Sequence, residues 1–143
     1  MAARKRTKDL GPAQRVRHLL AIDANNVLTR LRARTDEMVS LFSRLRDRTP
    51  MMETTRTWFF TITFTELALL EPNEQKAVNA FYEELDELRW YLHYTEDMPG
   101  QVQQKISGLV RSLEENHRRL TAAIGPPDAE GERVVVAEVV ARK

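Results

Sequence analysis

The chain has 143 residues and no cysteine, which excludes disulfide bridges, thiolate zinc sites and cysteine nucleophiles. Its length fits one domain, and 42% hydrophobic with 30% charged residues is typical of a globular protein whose helices expose wide polar faces. The net charge of +1 hides an uneven distribution, because residues 1–56 hold 13 Lys and Arg against 6 Asp and Glu, whereas residues 57–143 hold 9 against 15.

The two halves of the chain are therefore electrically complementary. The simpler interpretation is that a basic first helix folds onto acidic helices of the same chain or of a second copy. The alternative is that the basic half binds nucleic acid or another acidic surface. The basic residues at the start are followed by no apolar stretch, and no apolar run approaches 18 residues, so we expect no signal peptide, no membrane span and a cytoplasmic location.

Residues 1–11 carry four cations and little to bury, which predicts a flexible basic arm. Pro12 suits the first turn of a helix, and from there apolar residues recur in steps of three and four as far as Arg48. This seam predicts a long first helix and is interrupted only at Arg34; it consists of Leu20, Ala24, Val27, Leu31, Met38, Leu41 and Leu45.

The stretch after Thr49-Pro50 gives two conflicting signals. Its flanks predict a second helix that ends near Leu70, with Thr49 as its cap. Within it, Phe60, Ile62 and Phe64 alternate with threonines, which is typical of a strand. We expect residues 58–65 to belong to a nearly fully buried central helix, with a strand as the alternative.

Two further helices complete the predicted domain, which ends at residue 124. Pro72 opens one helix and Pro99 the other, and Gly125 with the two prolines after it is a strong stop. Each helix has an apolar stripe at helical spacing, made of Val78, Phe81, Leu85, Leu88 and Leu92 in the first and Val102, Ile106, Leu109, Leu113 and Leu120 in the second.

Residues 125–143 are predicted to be a linker and a β-prone tail, because residues 134–140 include five valines. A single strand in a helical chain has no sheet to join. It would have to pair with residues 58–65, with another copy, or with the sheet edge of a partner, or stay loose.

Candidate chemistry is sparse. Glu114 and His117 have the Glu-x-x-His spacing found in di-iron bundles, but the second such pair is missing, so a half-buried core histidine is the simpler interpretation. The serines fall in predicted helices without a glycine elbow, and the five glycines form no phosphate-binding loop. We therefore expect that the protein is not an enzyme and that it binds no metal, no cofactor and no small-molecule substrate.

Protein association is the function that the sequence favours. The apolar seam, the surplus aromatic residues and the valine tail are more apolar surface than one monomer buries easily, although Trp90 and Tyr94 could instead cover the end of the first helix. The candidate partner-binding residues are Trp90, Tyr91, Tyr94, Val134, Val136 and Val139. For the nucleic-acid alternative they are Arg4, Lys5, Arg6, Lys8, Arg15 and Arg17.

The sequence thus predicts an all-α protein, an antiparallel four-helix bundle with a long first helix, a basic N-terminal arm and a β-prone C-terminal tail. The predicted function is that of a non-enzymatic adaptor or structural subunit that self-associates or docks on a larger protein assembly. The alternative is a protein that binds the phosphate backbone of nucleic acid through the arm and the first helix.

Overall fold

A computed structural model of the chain describes residues 11–127, and these residues form an all-α fold. The basic residues of the predicted arm and the valines of the predicted tail lie outside this range. Five α-helices and one 3-10 turn, Phe59–Thr61, are found within it, without any strand: α1 Pro12–Leu45, α2 Thr49–Thr54, α3 Phe64–Leu67, α4 Pro72–Tyr94 and α5 Pro99–Ile124. The predicted all-α class is confirmed for this part of the chain.

Helix α1 is 34 residues long and begins with proline in its first turn. Five of the seven predicted seam residues are buried, whereas Leu41 is half-buried and Leu45 is 65% exposed. The helix ends before the predicted Arg48 because Arg46 adopts the left-handed conformation, with φ of 55°, and donates its N–H to the carbonyl of Phe42. The seam therefore ends near Phe42.

Helices α4 and α5 bury the two predicted apolar stripes completely, and every one of those ten residues is less than 9% exposed. Both helices start with proline in the first turn. At the start of α4, the Glu74 carboxylate accepts the N–H of Glu71, which satisfies a donor that has no partner within the helix. The periodic spacing of leucines thus predicts both helices well.

Contacts along the three long helices set their directions. Arg17 near the start of α1 binds Glu74 near the start of α4, and Arg48 just beyond α1 binds the end of α4, so α1 and α4 run parallel. Helix α5 runs antiparallel to both and packs along both, because Glu114 lies beside Arg32 while Gln103 lies beside Asp36. The core lies between these three helices.

The stretch from Thr49 to Leu70 differs most from the prediction. The predicted single helix is broken into α2, the 3-10 turn and α3, and residues 58–65 form neither a buried helix nor a strand. Trp58, Phe60 and Phe64 are 70, 63 and 90% exposed. The stretch still runs back along α1, since Arg30 contacts the carbonyl of Thr54 while Asp23 contacts Trp58.

Local hydrogen bonds explain why this stretch is not one helix. The Thr63 hydroxyl accepts the N–H of Glu66, and the Glu66 carboxylate accepts the N–H of Thr63, so a new helix starts at this point. The Thr57 hydroxyl likewise accepts the N–H of Phe59. Threonine side chains that bind the backbone compete with continuous helix. Within residues 11–127, the structure therefore has three long helices and one broken segment, residues 49–70, here named the crossing, in place of the predicted four-helix bundle.

Candidate functional site

Trp90 and Tyr94 form an exposed aromatic pair in the last turns of α4. One helical turn separates them, which places both on the same face. Their ring centroids are 4.5 Å apart with an interplanar angle of 52°. Trp90 is 67% exposed and Tyr94 is 58% exposed. These exposures do not fit the alternative that the two rings cover the end of the first helix.

Tyr91, the third predicted aromatic, does not join this pair. It is half-buried against the core, and its hydroxyl donates to Oδ2 of Asp97 at 2.7 Å. Burial raises the pKa of the Tyr91 hydroxyl, and the bond to Asp97 acts in the same direction. The Lys105 ammonium of α5 lies 5.8 Å from its ring centroid. Tyr91 therefore joins α4 to α5 and the loop between them.

The other predicted partner residues belong to the valine-rich C-terminal segment. Val134, Val136 and Val139 lie outside the described residues, as do Arg4, Lys5, Arg6 and Lys8 of the nucleic-acid alternative. The exposed aromatic residues Trp58, Phe60 and Phe64 were missed, because the sequence was interpreted as a buried helix there. The threonines at 57, 61 and 63 were the available signal, since threonine binds turn backbone readily.

A second apolar surface, here named the Trp58 groove, lies between the first half of α1 and the broken crossing. Its volume is about 320 Å³. It is lined by Val16, Leu19, Leu20, Ile22, Asp23 and Asn26 of α1 and by Trp58, Phe59, Thr61, Ile62 and Glu66 of the crossing. Leu19, which is 64% exposed, and Trp58 are the most exposed large apolar side chains of this lining.

A buried carboxylate holds the wall of the Trp58 groove in place. Asp23 is 8% exposed, and its Oδ2 accepts the hydroxyls of Thr57 at 2.5 Å and Tyr82 at 2.7 Å. Its Oδ1 accepts the Trp58 N–H at 3.0 Å. Burial and the neighbouring Asp23 carboxylate raise the pKa of the Tyr82 hydroxyl. Three donors from two elements thus satisfy the carboxylate and fix the crossing to α1 and α4.

Ring stacking supports the same wall. The Phe59 ring lies parallel to the Tyr82 ring of α4, with centroids 4.0 Å apart and an interplanar angle of 9°. The Phe60 ring faces outward, and the Arg89 guanidinium lies 5.8 Å from its centroid. The crossing therefore buries Phe59 partly and leaves its aromatic neighbours on the surface.

Two cations of α1, Arg17 and Arg32, form ion pairs with later helices of the same chain. Arg17 Nε lies 2.7 Å from Oε2 of Glu74, whose side chain is only 8% exposed. The hydrogen bond from Arg17 holds the pKa of the Glu74 carboxyl below its ordinary value. Arg32 pairs with Glu114 at 2.9 Å. These contacts agree with the interpretation that the basic first half folds onto the acidic second half.

Arg17 is thus engaged inside the fold, although the sequence also suggested it for phosphate contact. Arg15, the other described residue of that set, has an exposed side chain on α1. Arg30 and Arg48 bind backbone carbonyls: Arg30 those of Thr54 and Arg56, Arg48 those of Leu92 and Thr95.

Glu114 and His117, the predicted Glu-x-x-His pair, each contact a residue of another helix. His117 is half-buried beside Phe81, with ring centroids 6.0 Å apart. Burial lowers the pKa of His117, and the nearby Arg32 lowers it further. Glu114 instead accepts hydrogen bonds from Arg32. Among residues 11–127, no group of three or more His, Cys, Asp or Glu side chains could hold a metal ion.

No helix in this part of the chain is both long and apolar enough to cross a membrane. Comparison of the chain with protein-family models, curated proteins and solved structures found no match. The arrangement that stands out chemically is a pair of exposed aromatic surfaces, the Trp90–Tyr94 pair and the Trp58 groove, on a rigid helical core.

Proposed function

We propose that this protein is a non-enzymatic adaptor or structural subunit that self-associates or docks on a larger protein assembly. The Trp90–Tyr94 pair is its docking surface. The observation that supports this function is the exposure of both rings, 67% and 58%, on a helix whose opposite face is fully packed. Trp and Tyr are the residues that most often dominate the energy of protein interfaces.

The position of the pair suits an interface. Trp90 and Tyr94 belong to α4, whose core residues Leu88 and Leu92 are fully buried, so their backbone is held in place before any partner arrives. A rigid aromatic anchor loses little conformational entropy on binding. Met98, 64% exposed in the short connection after α4, adds another adaptable apolar side chain nearby in the chain.

Light scattering coupled to size-exclusion chromatography, at low and high salt, tests the self-association form of this proposal. We expect a species larger than one chain that contains no nucleic acid, and we expect Trp90→Ala to weaken it. Truncation of a central tryptophan costs about 2 kcal/mol or more, which is a roughly 30-fold rise in the dissociation constant. The matched control is Trp58→Ala, because Trp58 is equally exposed but lies on the other surface.

Docking on another protein is tested by a photo-crosslinking amino acid at position 94, with the same amino acid at the exposed position 112 of α5 as control. Cross-links to a single protein species from position 94 alone are the expected result. A compact monomer at high micromolar concentration, with Trp90 emission already that of a buried indole, would contradict the proposal. A complex with nucleic acid that is lost at high salt would favour the alternative function instead.

A further inference from the structure

The Trp58 groove lies at the end of the fold from which the C-terminal part of the chain departs. Helix α5 runs antiparallel to α1, so its last residue, Ile124, lies at the same end of the fold as the start of α1. The groove is lined by Val16, Leu19 and Leu20 from that end of α1. The chain that follows α5 therefore begins at the same end of the fold as the groove.

The chain beyond Pro127 has the length that the groove requires. It contains 16 residues, and an extended chain can span about 3.3 Å for each residue, or roughly 50 Å in total. Residues 128–133 can cover about 20 Å, enough to pass one helix of about 10 Å diameter. Residues 134–140 can cover about 23 Å, and the α1 side of the groove, Val16 to Asn26, is about 15 Å long.

The chemistry of the two chain segments outside the described range distinguishes them. Residues 134–140 contain five valines, whereas residues 1–10 contain four cations and few apolar side chains. The groove offers Leu19 and Trp58 as exposed apolar side chains, together with Ile62. Burial of apolar side chains against one another is favourable. Glu66 adds a carboxylate to the lining, which suits Arg133 before the valines and Arg142 after them.

We propose that the valine-rich segment, residues 134–140, occupies the Trp58 groove of its own chain. It covers Leu19, Trp58 and Ile62, and so completes the apolar side that the broken crossing leaves open. This inference goes beyond the proposed function, because it concerns a surface separate from the Trp90–Tyr94 pair and an occupant from within the chain.

The test uses the full-length chain with Trp90→Phe, so that Trp58 is its single tryptophan. Acrylamide quenching of Trp58 is compared with and without the substitutions Val134→Ser, Val136→Ser and Val139→Ser. We expect the substituted chain to be quenched about twofold more strongly and to emit at longer wavelength, because serine removes the apolar contacts that exclude water. Circular dichroism verifies that helix content is unchanged.

The control repeats the three substitutions in a Trp58→Phe chain, where Trp90 reports and no change is expected. Equal quenching of Trp58 in both chains would overturn the proposal. Shielding of Trp58 that disappears on dilution, together with a mass of two chains at high concentration, would show a second copy in the groove and would also overturn it.

A second measurement leaves the valines intact. Because the chain has no cysteine, Ala137→Cys carries a single spin label. We expect paramagnetic broadening of the backbone amides of Leu19, Trp58 and Ile62 in a monomeric sample. A label on Ser112→Cys, an exposed position of α5, provides the reference pattern. Broadening that is absent from those three amides would overturn the proposal.

Discussion

The Glu74 carboxylate joins the start of α4 to the start of α1. It accepts hydrogen bonds from Nε and Nη2 of Arg17, at 2.7 and 3.1 Å, and a third from the N–H of Glu71. A forked pair of this kind fixes orientation as well as position. The charge pattern of the sequence predicts that the two halves attract each other. It does not identify Glu74, because many acidic residues follow at similar spacing.

The pKa of Glu74 leads to a pH-dependence prediction. Because the folded state lowers this pKa, Glu74 stabilises the fold above its unfolded pKa of about 4.3, and this contribution is lost as the pH falls through the folded value. We expect Glu74→Gln to lower the free energy of unfolding by about 1–3 kcal/mol at pH 7 and to flatten its acid dependence below about pH 4.5. Urea unfolding at several pH values measures both effects.

The control for this prediction is Glu115→Gln. Glu115 is exposed on α5, and its hydrogen bond from Arg118 likewise lowers its pKa, but solvent screens that pair. Its substitution should leave the stability at pH 7 and the acid dependence nearly unchanged. An acid dependence for Glu74→Gln that matches the parent chain would contradict the role given to Glu74.

At the scale of the elements, a side chain from the connection between α1 and α2 completes the end of α4. Arg48 Nη1 donates to the Leu92 carbonyl at 2.8 Å, and Nη2 donates to the Thr95 carbonyl at 2.6 Å. The last carbonyls of a helix have no hydrogen-bond partner within the helix. A cation at this end also interacts favourably with the negative end of the helix dipole. The Trp90–Tyr94 pair lies in the turns that Arg48 supports.

We expect Arg48→Ala to loosen the last turn of α4. Amide hydrogens near Leu92 and Thr95 should exchange faster, with about 1–3 kcal/mol of local protection lost, because two carbonyls lose a charged donor. Hydrogen exchange followed by NMR measures this. Arg44→Ala is the matched control, since Arg44 is exposed in the last turn of α1. Equal protection in the parent and in Arg48→Ala would refute the prediction.

The elements also show where sequence reasoning works and where it fails. Apolar residues at helical spacing predicted the stripes of α4 and α5, because the buried face of an amphipathic helix can be identified from the spacing of its own apolar residues. The prediction for the crossing was wrong, because its conformation depends on threonines that bind the local backbone and also on Asp23, which lies 34 residues before Thr57. No local pattern identifies that partner. The same distant residue binds the N–H of Trp58, so the groove that Trp58 lines could not be predicted either.

At the candidate site, the exposure of Trp90 and Tyr94 agrees with the sequence pattern for a general reason. Trp90 and Tyr94 continue α4 outside the arc of its core stripe, so their exposure follows from helix geometry. Tyr91 is one residue from Trp90 and therefore points about 100° away, toward α5. Whether a partner binds the pair is beyond any single sequence, because exposure is a property of the chain and binding is a property of two molecules.

At the scale of the whole molecule, the core depends on the middle of α1. Leu31 is fully buried, whereas Leu45 of the same helix is 65% exposed. We expect Leu31→Asp to unfold the protein or to destabilise it by more than about 4 kcal/mol, because it buries a charge without a partner. Leu45→Asp is the control and should keep the fold. Thermal unfolding followed by circular dichroism distinguishes them, and similar midpoints for both variants would contradict the assigned core.

The position of α5 in the chain has a consequence for synthesis on the ribosome. Both α1 and α4 pack along α5, which is the last helix made among residues 11–127. At about 5–20 residues per second, roughly 4–16 seconds separate the completion of α1 from that of α5. During this interval the apolar stripe of α1 has no α5 to cover it. The growing chain therefore exposes this stripe for several seconds before α5 is available to cover it.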